Sequence, residues 1–370
     1  MLRLSIRNLR ALREVEITLE DLLCIVGANG AGKTTLLFAL QFLQTYVRRG
    51  LDEAMNVLGY RNVRHRDASP SEPISLELSS GEAKWRLELD VRGVDARVIR
   101  DELSFGAEPV AWAKVSGALQ TMRTFGLASF SSTQLAPLTA PVDVPAEVVE
   151  LVRAVMESGT HFDPDLRALR ENGSKASRNT ALEPRSENAF AMLRRWHERK
   201  PDRPRFDFVR DTLRAALPDL VEDLDFDVGG DSVFLRVWRP RAESPDVITY
   251  ESNGLLSLVV TLTAIASGVE GSVVAVDEPE NGLHPFALAR LAERARQWAV
   301  SHRVAVVFTT HSPVLLNQLR REPGRVVVFE NGRLATLDTL RDRAWLEGLL
   351  PGELYENLEI GAPPVVTRRP

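Results

Sequence analysis

The amino-acid sequence predicts an α/β protein built on a mixed central sheet, with an antiparallel β lobe towards the N-terminus and a helical insertion in the middle. Three observations point there. Leu22–Val26 is a short apolar run leading into Gly27-Ala28-Asn29-Gly30-Ala31-Gly32-Lys33-Thr34, and apolar residues at helical spacing follow from Thr35 to Tyr46. Two further apolar runs, Ser272–Val276 and Val304–Phe308, end in polar residues, as buried strands do at a ligand-binding sheet edge. Leu2–Ile6, Val15–Leu19, Ile74–Leu78 and Trp85–Val91 alternate apolar and polar residues, the pattern of half-buried antiparallel strands.

The glycine-rich stretch fits G-x-x-x-x-G-K-[ST] at every fixed position and sits between a strand and a helix, the context the motif requires. Its glycines let successive backbone N–H groups face an anion at a helix N-terminus. Gly27, Asn29, Gly30, Ala31, Gly32, Lys33, Thr34 and Thr35 are therefore the candidate nucleotide-binding residues, with Lys33 on the β- and γ-phosphates and the Thr34 hydroxyl on Mg²⁺. The 370 residues leave room for one large domain or two ordinary ones. A net charge of -5 excludes a global attraction to nucleic acid or anionic membrane, so such binding requires a local basic patch. The single cysteine, Cys24, has no intrachain partner and is expected to be a buried small hydrophobe. No apolar run approaches the ~18 residues of a membrane span, and the N-terminus carries no apolar signal region, so a cytoplasmic protein is expected.

In chain order, Leu2–Ile6 and Val15–Leu19 lead to the phosphate-loop strand. Asn8-Leu9-Arg10 lies between them, and Arg10 falls near a nucleotide if these strands pack beside the loop. Leu51–Pro73 is mixed and polar, with a basic cluster at Arg61, Arg64, His65 and Arg66. Leu78-Ser79-Ser80-Gly81-Glu82 approximates a nucleotide-binding signature, but it lies between two alternating stretches and reads as a hairpin turn, with Val98–Leu103 as a further strand. From Pro145 to about Leu217 the pattern is helical. The basic stretch Leu193–Arg205 within it, with Trp196 among its arginines, is either a nucleic-acid contact or a solvated helix end. Leu224–Phe226, Val233–Val237 and Val247–Tyr250 return to strands. Ser252-Asn253-Gly254 then opens a strongly apolar helix, Leu255–Ile265, the right setting for a true signature. Ser272–Val276 ends in Asp277-Glu278-Pro279: one carboxylate for Mg²⁺ and the next to orient the attacking water. Val304–Phe308 runs into Thr309-Thr310-His311-Ser312-Pro313, placing His311 where it can sense a γ-phosphate. Arg325–Glu330 and Arg333–Leu337 form a closing hairpin around Asn331-Gly332, and Leu340–Leu350 a short helix. In the tail from Pro351, Tyr355, Leu358 and Ile360 are placed to dock on a partner or on the body. The expected divisions are an N-terminal ATPase lobe (1–140), a helical insertion (141–222), a C-terminal ATPase lobe (223–340) and a C-terminal helix and tail (341–370).

The ordered set Asn8-Leu9-Arg10, Gly27–Thr34, Ser252-Asn253-Gly254, Asp277-Glu278-Pro279-Glu280-Asn281-Gly282-Leu283-His284-Pro285 and Thr309–Pro313 resembles the ABC-type ATPase heads of the RecF, SMC and OLD group. It is most similar to stand-alone bacterial AAA family ATPases of phage-defence and toxin-like operons. The resemblance spans about residues 1–340 and implies an ABC-type P-loop NTPase head. It implies ATP and Mg²⁺ as cofactors. Asp277 is then the Walker B aspartate, Glu278 the catalytic carboxylate and His311 the switch histidine. Ser252 and Gly254 act across a homodimer, the Asn281–His284 loop faces that dimer, and Gln134 falls where a Mg²⁺-linked glutamine stands. His284 replaces the aspartate usual in transporters, and the signature lacks a leading leucine and a second glycine. Sustained heptads for an SMC coiled coil are absent, and fewer residues follow His311 than the order of a hundred that a TOPRIM nuclease domain needs. The expected protein is a Mg²⁺-dependent ATP-hydrolysing switch, a homodimer or higher homo-oligomer regulating a separate effector, nuclease or toxin, in anti-phage defence, with no membrane part. The alternative is a RecF-like DNA-binding ATPase of repair or recombination. A scaffold that binds ATP without turnover is disfavoured by the intact Glu278.

Overall fold

The strand that carries the phosphate loop lies inside the central sheet. The computed structural model describes residues 1–59, 62–93, 95–112, 115, 144–161, 164–175, 182–183, 185–248, 251–330, 333–341, 350–357 and 360–361. The order of strands across the sheet is Arg333–Thr336, Val326–Glu330, Leu22–Gly27, Ala305–Thr309, Val273–Asp277, Gly159–His161. Neighbours are parallel except in the edge hairpin formed by Val326–Glu330 and Arg333–Thr336. Such a sheet needs apolar side chains on both faces, which explains continuous apolar runs in place of alternation. The period of two still sorts them. Leu22, Cys24, Val26, Val274, Val276, Val306 and Phe308 enter one core; Leu23, Ile25, Val273, Ala275, Ala305 and Val307 enter the other. Cys24 is buried, as expected, and burial pushes its thiol pKa well up.

The second core lies between the central sheet and an antiparallel sheet ordered Leu12–Leu19, Leu2–Leu9, Ile74–Ser80, Ala83–Arg92, Asp95–Phe105, Glu108–Val110. Helices Lys33–Arg49 and Ala146–Glu157 fill it. The signature-like string lies in this sheet: Ser80 pairs with Ala83, and Gly81 makes the turn at φ 61, so no helix opens there. The first core holds helices Ala189–Glu198, Arg203–Ala216, Asn253–Ser267 and Pro285–His302, together with a small sheet ordered Asp223–Gly229, Ser232–Trp238, Asp246–Val247. No described helix is long and apolar enough to cross a membrane.

The structure departs from the sequence pattern in two places. Leu51–Leu58, read as part of a mixed polar stretch, is a helix that buries Ala54, Met55 and Leu58 on one face. The stretch from 145 to 217 also contributes two strands among its helices. Gly159–His161 joins the parallel sheet beside Val273–Asp277, and Ser174–Lys175 pairs with Ser232–Trp238. Strands this short carry no readable period, and their partners lie far along the chain. Residues 331–332 and 342–349, on which the expected turn and most of the expected C-terminal helix fall, lie outside the described residues.

Phe308 sits at the centre of the first core with no exposed surface. Phe308→Ala is expected to lower the unfolding free energy by about 3–5 kcal/mol in denaturant titration. A loss below about 1 kcal/mol would place this side chain outside the core.

Candidate functional site

The C-terminal ends of Leu22–Gly27, Ala305–Thr309 and Val273–Asp277 coincide because the strands are parallel and in register, with Asp277 opposite Thr309 and Thr309 opposite Ile25. After Gly27 the chain turns through Ala28–Ala31 and enters helix Lys33–Arg49. Gly30 and Gly32 take φ values of 77 and 116, the left-handed region that glycine occupies without strain. Gly27 is required for a different reason: a Cβ there would stand 2.7 Å from Phe329 Cβ. The helix has no side-chain cap and no acidic residue in its first turn, so an anion meets neither a competing acceptor nor a like charge at its N-terminus. Asn29 is exposed and Ala31 half-buried on this loop, while Thr35 is buried beneath it.

Lys33 is buried, with its ammonium turned back onto the carbonyls of Gly27 at 2.8 Å and Ala28 at 3.3 Å. Burial lowers its pKa, and the charges of Glu278, Asp277 and Glu280 pull the other way. Thr34 Oγ1 donates to Asp277 Oδ2 at 3.4 Å, and the Thr309 hydroxyl donates to Asp277 Oδ1. Burial raises the Asp277 carboxyl, and the Thr309 hydroxyl opposes the shift. A hydroxyl and a carboxylate at the phosphate loop form a sparse oxygen-only donor set. That suits Mg²⁺, which usually keeps waters and phosphate oxygens as ligands. Among the described residues no cluster of three or more His, Cys, Asp or Glu offers a protein cage for a metal.

Glu278 adopts φ 45, unusual for a residue with a Cβ, and its N–H donates to the Thr309 carbonyl at 3.0 Å. Asn281 Nδ2 donates to Glu278 Oε2 at 3.3 Å, and His311 Nε2 lies 3.8 Å from Glu278 Oε1. Glu280 holds the histidine loop: its Oε1 accepts from the Thr310 hydroxyl at 2.8 Å and from the His311 N–H at 2.7 Å. The Tyr355 hydroxyl meets His311 Nδ1. Thr309 and Glu280 were given no role by the sequence, and Tyr355, expected to dock on a partner or on the body, docks on the body at His311. The strings containing Thr309 and Glu280 were visible. Tyr355 lies 44 residues from His311, and no local pattern joins them.

Ser252 caps helix Asn253–Ser267, its hydroxyl accepting from Leu255 N–H at 3.3 Å. The atoms nearest Gly254 belong to Gly282 and Leu283, so the signature turn packs on the loop after Glu278 of the same chain. Arg170 fixes this turn by donating to the Glu251 carbonyl at 2.9 Å and Asn253 Oδ1 at 2.7 Å, and Arg239 pairs with the Glu251 carboxylate at 2.6 Å. Arg10 lies in the turn that packs on the phosphate loop through Ala11 and Leu12 against Gly32. Its guanidinium, however, bonds the Leu58 carbonyl and stacks 4.8 Å over Phe38. Gln134 lies outside the described residues.

The basic stretches are largely paired. Arg194, Arg199 and Arg203 bond Glu198, Asp202 and Asp207 at 2.7, 3.0 and 3.3 Å. Arg205 bonds the Ala266 and Gly268 carbonyls, the latter at 3.2 Å, closing the C-terminal end of helix Asn253–Ser267. Arg64 pairs with Asp90 at 3.2 Å. These arginines bond neighbouring carboxylates or helix-end carbonyls, and Arg61 lies outside the described residues.

A Cβ at position 254 would collide with the Gly282 carbonyl. Gly254→Ala is expected to cost about 1–3 kcal/mol and to speed amide exchange in residues 281–284. Unchanged exchange there would mean the two turns are not in contact.

This geometry fits the comparisons with known proteins. Residues 1–76 match the family described as AAA ATPase domain, and residues 159–317 match the family described as AAA domain, putative AbiEii toxin, Type IV TA system. No curated protein matches the sequence. Among solved structures, the chain is similar to an SMC head bound to the C-winged helix domain of ScpA, with TM-score 0.56 and 12% identity over 92% of this chain and 99% of that one. Two others are an Smc head with an extended coiled coil bound to the C-terminal domain of ScpA, derived from Pyrococcus furiosus, and an SMC head domain from Thermotoga maritima. Both are 12% identical, with TM-scores 0.48 and 0.46 over 94% and 90% of this chain and 99% and 96% of theirs. One ATPase family match contains the phosphate loop, the other contains the Asp277 and His311 strands, and a single fold similar to that of an SMC head joins them.

Proposed function

We propose that this ATPase is a nucleotide-driven switch in which ATP is sandwiched between two copies of the chain, and that its state controls a separate effector, a nuclease or toxin, in bacterial defence. The observation that carries the reading is the convergence of Thr34, Asp277, Thr309, Glu278 and His311 at one sheet edge. In this reading the phosphate-loop N–H groups and Lys33 bind the β- and γ-phosphates, which draws the Lys33 ammonium off its two carbonyls. Thr34 and Asp277 would hold Mg²⁺, which would supply charge neutralisation at the phosphates. Glu278 orients the attacking water and takes its proton, while Asn281 holds the far carboxylate oxygen. His311 Nε2 donates to the γ-phosphate.

The dimer reading is supported by what the signature turn leaves exposed. Ser252, Asn253, Asn281, His284 and Phe286 are all exposed, and Phe286 is 48% so. A second copy would bury this face and bring Ser252 to the γ-phosphate held by its partner. Moving such a pair from mostly open to mostly closed takes about 5.5 kcal/mol of differential binding. Two sites with several charge-assisted hydrogen bonds each are sufficient for that. The family description, which names a putative toxin of a type IV TA system, supports a toxin-linked setting. The SMC head's partner, ScpA, offers an analogy for a protein docked on such a head.

Glu278→Gln should lower kcat by at least about a hundredfold while leaving ATP bound. Light scattering of this variant should show the mass doubling with Mg-ATP and not with Mg-ADP. A mass that stays monomeric with ATP, or is already doubled without nucleotide, would overturn the ATP-closed sandwich.

A further inference from the structure

The C-terminal segment is packed across the site. Helix Pro351–Glu356 lies on helix Pro313–Gln318, into which the histidine loop leads. Gly352 makes the join: its N–H donates to Asn317 Oδ1 at 2.8 Å, and a Cβ there would come within 2.6 Å of the Pro313 carbonyl. Leu354 and Ile360 are fully buried. A Cβ on Gly361 would stand 3.1 Å from Gly27 Cα, so the segment touches the phosphate loop as well. Between these anchors the Tyr355 hydroxyl reaches His311 Nδ1, with ring centroids 6.0 Å apart.

The other imidazole nitrogen, Nε2, faces Glu278 Oε1 at 3.8 Å. A lone pair on Nε2 would oppose the carboxylate lone pairs, whereas an N–H would be attracted to them. When Tyr355 donates its hydroxyl hydrogen to Nδ1, a neutral His311 carries its own proton on Nε2. Burial, followed by the charges of Glu280 and Glu278, pushes the Tyr355 phenol up from its ordinary value, so the hydroxyl keeps its hydrogen at neutral pH. The backbone of the same histidine is fixed separately by Glu280.

We propose that Tyr355 is a positioning residue for ATP hydrolysis: its hydroxyl holds His311 in the Nε2–H tautomer and orients that N–H towards the catalytic edge. This rests on the reading in which His311 meets the γ-phosphate. Helix Pro351–Glu356 thereby becomes part of the hydrolytic machinery.

The test is steady-state ATP turnover by the full chain as wild type, Tyr355→Phe, His311→Ala and the double variant, each assayed well below its thermal midpoint. Phenylalanine keeps the ring against His311 and removes only the hydroxyl. Tyr355→Phe is expected to lower kcat about three- to tenfold, the loss that one hydrogen bond implies. KM should stay within about twofold. The double variant should be no slower than His311→Ala, because the tyrosine acts only through the histidine. An equal fall on both backgrounds would assign the hydroxyl a general structural role and overturn the proposal. Unchanged kcat in Tyr355→Phe, with a loss in His311→Ala, would overturn it and leave the role of His311 standing. Unchanged kcat in both would remove His311 from the reaction and the proposal with it.

Discussion

The site depends on the parallel register of three buried strands. Leu22–Gly27, Ala305–Thr309 and Val273–Asp277 end together because each is apolar on both faces and is fixed by a core on either side. A slip of one residue would exchange the two sets of side chains between cores, so the register is strongly specified. It sets Asp277 opposite Thr309, and from that pairing follow the bond of Thr309 to Asp277, the turn at Glu278 and the approach of His311 to Glu278.

At the strand ends the backbone leaves regular geometry, and polar side chains replace the ladder. Glu278 in the left-handed region costs on the order of 1 kcal/mol. Its N–H is held by both the carbonyl and the hydroxyl of Thr309, at 3.0 and 3.2 Å. Thr310, fully buried, donates its N–H to Ile25 and its hydroxyl to Glu280, and accepts from Ser312 N–H at 2.8 Å. The loops after these strands are thus tied both to neighbouring strands and, through Glu280, to each other.

The same logic links this edge to the signature turn. Gly254 against Gly282 joins the helix Asn253–Ser267 to the loop after Glu278, and Arg170 and Arg239 brace the turn from the small sheet and helices around it. The helical region contributes to the site through this brace. Of its arginines, legible as a cationic stretch in the sequence, Arg194, Arg199 and Arg203 meet neighbouring carboxylates and Arg205 the end of helix Asn253–Ser267.

By itself the sequence determined the phosphate loop, the acidic strand end, the histidine strand and the hairpin at Gly81. Each of these is a local string whose chemistry is complete within a few residues, beside apolar runs long enough to show their period. It also placed the start of an apolar helix at Ser252, whose hydroxyl caps it. Only the tertiary structure decided the rest. Gly159–His161 is too short to carry a period and becomes a strand because Val273–Asp277 offers it an open edge. Arg10 lies in the turn expected beside the loop, but its guanidinium is captured by the Leu58 carbonyl of a helix whose face was masked by polar neighbours. Tyr355 reaches His311 across 44 residues of chain because Gly352 lets one helix sit against another. Contacts between distant segments are set by packing volumes and close backbone approach, and neither leaves a mark on the local order of residues.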